Sequence, residues 1–144
     1  VLQAVILTEG DKMLLTPTYH VFNMFKVHQN AELLPLSIDS KNYAMNGQSI
    51  PKISGSASAD RNNLVHITLC NLHPAEEEKI TCYSPGKHFN RISGKILTAD
   101  RMNAYNTFEN PFAVKPEPFG EFCLREGEIN IILPAKSVVV IALE

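Results

Sequence analysis

The stretch "INIILPAKSVVVIALE", residues 129–144, decides the fold. Its first part alternates: Ile129, Ile131 and Leu133 point one way and Asn130 the other, the period of a strand with one buried face. "PAK" interrupts the run as a turn. The second part, Ser137 to Leu143, is apolar at successive positions, so this strand is expected to lie centrally, or to be covered on its outer side by another layer.

Upstream, the same grammar repeats. "ELLPLSID", "PKISGSASA", "LVHITLC", "KITCYS", "ISGKILTA" and "FCLRE" are short strand candidates. The clusters "DSKN", "NGQ", "ADRNN", "HPAE", "SPGK", "ENP" and "REGE" part them as turns. Many short strands at roughly even spacing with Gly, Pro and Asn turns indicate a β-sandwich or barrel. Val65, Ile67 and Leu69 oppose His66, Thr68 and Cys70, and Ile80 and Cys82 oppose Thr81 and Tyr83, as in an antiparallel sheet with one wet face. In "DRNN", Asn62 and Asn63 tolerate the left-handed backbone of a hairpin. The stretch "NAYNTFENPFAVKPEPF", residues 103–119, is irregular. Its prolines Pro111, Pro116 and Pro118 block a ladder, and so long a loop is expected to pack against something.

The first thirty residues read differently. "VLQAVIL", Val1–Leu7, is a nearly continuous apolar run that suits a strand covered on both faces. After the turn "TEGDK", Thr16 stands as N-cap with Pro17 at N1, opening a helix from Thr16 to Gln29. Phe22 and Phe25 form one apolar stripe on it, and Val21, Met24 and His28 another. A strand followed by a helix is half of a parallel unit, in a chain otherwise free of long helices. With no initiator Met and an opening already inside an apolar strand, the chain is expected to be a piece of something longer.

Composition excludes several classes. A chain of 144 residues with net charge −2, from 13 basic and 15 acidic side chains spread along its length, offers no basic stripe for nucleic acid. No apolar run approaches the ~20 residues that span a bilayer, so no membrane partner is expected. The three cysteines Cys70, Cys82 and Cys123 have no CxxC spacing and read as buried small hydrophobes.

The search for chemistry is correspondingly bare. Glu76, Glu77 and Glu78 read as a solvated turn. Glu9 and Asp11 follow the first strand, but no facing carboxylate pairs with them. His20, His28, His66, His73 and His88 lack HxxxH or HExxH spacing, so no metal is expected. There is no GxSxG, and Cys123 has no activating neighbour. Sugar-binding sandwiches use exposed aromatic platforms; this chain has no Trp, and Tyr43, Tyr83 and Tyr105 form no evident pair. No catalytic residue, cofactor site or metal site is therefore assigned.

At this point the motifs carry a resemblance. "VLQAVILTEGDKMLLTPTYHVFNMFKVHQNAELL" resembles the end of the catalytic barrel in the α-L-arabinofuranosidases of glycoside hydrolase family 51. "GKILTADRMNAYNTFENPFAVKPEPF" and the closing "INIILPAKSVVVIALE" resemble that family's C-terminal domain. The resemblance implies an all-β, jelly-roll-like antiparallel β-sandwich (residues 31–144), preceded by the last strand and helix of a truncated (β/α)8 barrel (residues 1–30). It implies a parent enzyme that removes terminal α-L-arabinofuranosyl groups from hemicelluloses such as arabinoxylan and arabinan with retention. Two glutamates do this chemistry, on barrel strands upstream of this chain. The partners expected are that missing barrel, further copies in a homo-oligomer and, for the full protein, an arabinose-containing polysaccharide, in an intracellular or periplasmic setting. The chain's own role would be architectural, with sugar binding as the alternative. Severed from the barrel, the helix should dock on the sandwich, be covered by a second copy, or be poorly ordered.

Overall fold

The computed structural model describes residues 4–125 and 128–144. Two antiparallel sheets make the sandwich. The larger has six strands: β3 (Glu32–Leu34), β6 (Ile53–Ala59), β7 (Val65–Asn71), β9 (Ile92–Leu97), β10 (Glu117–Pro118) and β13 (Ser137–Leu143), in the order β10-β9-β13-β7-β6-β3. The smaller has three: β8 (Glu78–Tyr83), β11 (Phe122–Arg125) and β12 (Glu128–Leu133), in the order β11-β12-β8. A separate ribbon joins β4 (Asn42–Met45) to β5 (Gln48–Pro51) through an Asn46-Gly47 turn. Both turn residues have positive φ, 52° and 78°, which asparagine and glycine adopt at low cost.

Alternation along the strands builds two apolar layers. Val139, Ile141 and Leu143 face Ile129, Ile131 and Leu133 of the smaller sheet, together with Ile53, Ile67, Leu69 and Ile96. Val138 and Val140 point outward. β13 lies between β7 and β9, so the doubly apolar strand is central and covered, as its sequence requires. β8 and β12 keep a wet outer face, as their alternation predicts.

β7 does not. His66 and Thr68, read as facing water, are buried. The reason lies in residues 4–30, which fold across the outer face of the larger sheet.

There, β1 (Ile6–Glu9) pairs with β2 (Lys12–Leu15) as a hairpin about Gly10 and Asp11, and Gly10 takes φ 60°. The strand read at Val1–Leu7 thus differs from expectation. Val1–Gln3 fall outside the described residues, and the strand that forms is Ile6–Glu9, exposed along its length rather than covered on both faces. Among the described residues it pairs with β2 alone, and residues 12–15 carried no strand expectation.

Helix α1 (Pro17–Phe25) follows, then a 3-10 turn (Lys26–His28) that ends the longer helix expected to Gln29. Thr16 caps it as predicted: its Oγ1 accepts from the Tyr19 N–H and donates to the Val5 carbonyl at 2.8 Å. Met24 is buried against Leu97, Val114 and Val140, with Val21, Phe25 and Val27 packed around it. Of the three outcomes expected for the helix, the described chain takes the first: α1 docks on the sandwich.

One close approach in the sheet gives a direct test. A Cβ on Gly55 would sit 2.8 Å from the Thr68 carbonyl oxygen, 2.9 Å from Leu69 Cδ2 and 3.1 Å from Ile38 Cδ1. Gly55→Ala is expected to destabilise the domain by about 1–3 kcal/mol, the usual cost of overpacking, in urea denaturation.

Candidate functional site

Helix α1 has two fates on its two sides. Its inner side is sealed by the sheet. Its outer side, with β1, is left bare. Val5, Ile6, Tyr19, Phe22 and Phe25 line one groove, with Asn23, Lys26, His28 and Gln29 along its polar margin. Phe22 is 67% exposed and Met13, on the same hairpin face as Ile6, is 65% exposed. Exposed apolar side chains gathered in this way form a candidate contact surface.

A buried amide ties the N-terminal unit to the sandwich. Asn106, 5% exposed, sits in the irregular loop before β10. Its Nδ2 donates to the Leu15 carbonyl at 2.8 Å and to the Val114 carbonyl at 2.9 Å, and its Oδ1 accepts from the Val114 N–H at 2.7 Å. The loop therefore packs against the N-terminal unit, and Val114 enters the layer beneath α1. Asn71 plays the matching role between the sheets. Its Nδ2 donates to the carbonyls of Leu133 and Glu76, and its Oδ1 accepts from the His73 N–H.

The residues weighed for chemistry are dispersed. Glu9 ends β1 and Asp11 forms the hairpin tip, both exposed. Cys70 and Cys82 are half-buried, and burial pushes both thiols up, which keeps them protonated and poorly nucleophilic. Cys123 is exposed. Among the described residues, no three His, Cys, Asp or Glu side chains are placed to hold a metal. No helix among them is long and apolar enough to cross a membrane. Tyr83 and Tyr105 are exposed, on β8 and in the loop before β10, while Tyr43 packs edge-on against His73 at 4.9 Å between ring centres.

Two clusters went unread. Glu76, taken as part of a solvated turn, hydrogen-bonds the ammonium of Lys52, itself buried. That bond raises the pKa of Lys52 and lowers that of Glu76. No spacing in "HPAEEE" pointed to it, because Lys52 lies 24 residues away along the chain. The second cluster is histidine. His28 Nδ1 lies 2.6 Å from Ser58 Oγ and its Nε2 lies 3.0 Å from Thr68 Oγ1, across the seam between the 3-10 turn and the sheet.

The chain is thus a β-sandwich with a strapped-on helix and an exposed apolar face beside it. Comparison with known proteins identifies this fold. The family model for the α-L-arabinofuranosidase C-terminal domain matches residues 1–137. The chain is 39% identical over 145 residues to an intracellular exo-α-L-arabinofuranosidase of Bacteroides ovatus, covering all of this chain and 28% of that protein. It superposes on the crystal structure of the family 51 arabinofuranosidase from Xanthomonas axonopodis pv. citri with a TM-score of 0.96 at 39% identity, covering 100% of this chain and 29% of that one. The thermostable family 51 enzyme of Thermotoga petrophila RKU-1 shares the fold, with a TM-score of 0.81 at 23% identity over 97% of this chain and 31% of that one. The chain belongs to the α-L-arabinofuranosidase C-terminal domain family, the C-terminal sandwich of glycoside hydrolase family 51. It spans less than a third of the length of these relatives.

Proposed function

We propose that this chain is the non-catalytic, architectural domain of a retaining α-L-arabinofuranosidase, and that the groove of Val5, Ile6, Tyr19, Phe22 and Phe25 is the seat of the catalytic barrel. On this reading residues 1–30 complete the barrel, residues 31–144 form the sandwich that backs it, and the two catalytic glutamates come from the rest of the enzyme. The observation that carries it is the two-sided helix: Met24 sealed on the sandwich, Phe22 bare on the other side. The kinship with a Bacteroides ovatus enzyme described as intracellular supports an intracellular setting and an exo-acting parent. Exposed Leu33, Met45 and Ile50 on β3, β4 and β5 offer contact area for a homo-oligomer of the full protein.

Substitution separates the seat from ordinary surface. Phe22→Ser in the full-length enzyme is expected to cost about 1.5–3 kcal/mol, the transfer energy of a buried aromatic, and to lower its melting temperature. The same change in this chain alone should be nearly neutral. Equal effects in both settings would sink the reading. Sugar binding is tested separately. Titrating the labelled chain with arabinan and arabinoxylan oligosaccharides to about 1 mM, a weak-binding threshold of ~4 kcal/mol, is expected to leave its spectrum unmoved. Saturable shifts on the face carrying Tyr83 would favour the binding-module alternative.

A further inference from the structure

Two of the chain's five histidines, His28 and His66, are neighbours in one seam, and a third, His20, is buried on the helix that borders it. His20 lies on the inner side of α1, His28 in the 3-10 turn, and His66 on the outward side of β7 beneath them. His28 bridges Ser58 and Thr68, while His20 Nε2 and His66 Nδ1 are buried with no hydrogen-bond partner. The two hydroxyls can turn to accept from an imidazolium, so hydrogen bonding alone would tolerate a proton on His28. What the seam lacks is a counter-charge.

The groups packed around it make this plain. The helix and turn bring Lys26. β6 brings Ser58, and β7 brings Thr68 and Cys70. β9 brings Lys95, which lines the same cleft as His66 with Asn23, Met24 and Pro116. β13 brings Val138, Val140 and Ala142. The nearest carboxylates in sequence, Glu32 on β3 and Glu117 on β10, sit on the two edge strands of the sheet, and Glu117 pairs with Lys115. Among the described residues the one histidine in ion-pair reach of a carboxylate is His73, with Glu76, outside this seam. A proton arriving on His28 therefore adds a positive charge to a part-buried seam that has Lys26 and Lys95 on its borders and, among the described residues, no paired carboxylate.

We propose that the seam is an acid-released latch: protonation of His28, with the buried His20 beside it on the helical unit, undocks that unit from the sheet while the sandwich stays folded. The direction of titration agrees. Burial pushes the pKa of His20 below its ordinary 6.5; burial, and then the neighbouring His66, pushes His28 below it as well. The unfolded seam then binds more protons than the folded one, so the latch is at full strength above 6.5 and weakens as pH falls below it. The Lys52–Glu76 pair acts in another window. Its carboxyl is held below 4.5, so that contribution is complete above 4.5 and lost only under it.

Hydrogen exchange of the 144-residue chain, corrected for intrinsic rates, tests this at about pH 7.5 and about pH 5, values that bracket the imidazole transition and stay above the carboxylate one. Amides of α1 and the 3-10 turn should lose protection at the lower pH, while β7 and β13 keep theirs. His28→Asn, which holds a hydroxyl but cannot titrate, should shrink the response, and His88→Asn, outside the seam, should leave it intact. Equal protection at both pH values, a loss shared evenly with β7 and β13, or a full response in His28→Asn overturns the latch. Should His28→Asn fail to fold, imidazole NMR shifts of the unmodified chain decide. Seam histidines that titrate together with the loss of helix signals support it, and helix signals unchanged through that titration refute it.

Discussion

Ile141→Ala is expected to lower the unfolding free energy by about 3–4 kcal/mol, within the range for a large aliphatic truncated to alanine in a core that cannot collapse. Ile141 is 0% exposed in the middle of the central strand. Its register partners are Ile67 on one side and Gly94 on the other, and it faces the apolar layer of the smaller sheet. A void there has strands on both flanks and a sheet opposite, so no neighbour is free to fill it. Ile132→Ala provides the contrast. Ile132 is on the wet side of β12, is 36% exposed, and should cost under about 1 kcal/mol, since surface truncations leave no cavity. Urea denaturation of both variants with unchanged m-values checks the pair. A cost for Ile141→Ala as small as that for Ile132→Ala would mean that the two sheets do not pack as described.

The contrast between those two isoleucines is also the measure of what the sequence could disclose. Alternation told inner from outer residues along β12 and β13, because a strand turns successive side chains to opposite faces whatever its neighbours are. The turns at Asn46-Gly47 and Asn62-Asn63 were legible for the same local reason, since a backbone that needs positive φ selects its residues: φ is 52°, 78° and 62° at Asn46, Gly47 and Asn63. The helix start at Thr16-Pro17 is local chemistry too. What could not be read is what lies across space. His66 and Thr68 carry polar side chains at outward positions, and polarity there ordinarily means water. They are buried because a helix from elsewhere in the chain covers them, and no period in "LVHITLC" encodes that visitor. The β1–β2 hairpin was hidden by the reverse error. An apolar run was taken for two-sided burial, although Ile6 remains exposed and open for a partner. The exposed apolar face and the histidine seam are thus the features least visible in the sequence, because each is made by surfaces far apart along the chain. The one sequence clue to the exposed apolar face was that the helix carries two apolar stripes, one of them with Phe22 in it.

Asn106→Ala should show how the two parts of the domain are coupled. The substitution removes the donor to Leu15 and Val114 and the acceptor for the Val114 N–H. The Asn106–Val114 contacts are buried. Leaving such backbone groups without partners costs about 1–3 kcal/mol each when water cannot reach them, and partial hydration of the opened loop reduces the sum, so a total of about 2–4 kcal/mol is expected. The loss should be local. Asn106 touches β2 and the loop, not the face between the two sheets, so exchange protection should fall in β1, β2 and α1 while β12 and β13 hold. Asn71→Ala gives the opposite map, because its amide ties β7 to the Leu133 carbonyl at the end of β12. There the sandwich itself should loosen. Asn106→Asp discriminates further: it keeps an acceptor for the Val114 N–H but sets a carboxylate against the carbonyls of Leu15 and Val114, and should be at least as damaging as alanine. If Asn106→Ala instead weakened α1 and β13 equally, the N-terminal unit would be an inseparable part of the sandwich core, and an unlatching of the helix at low pH could not leave the sandwich intact.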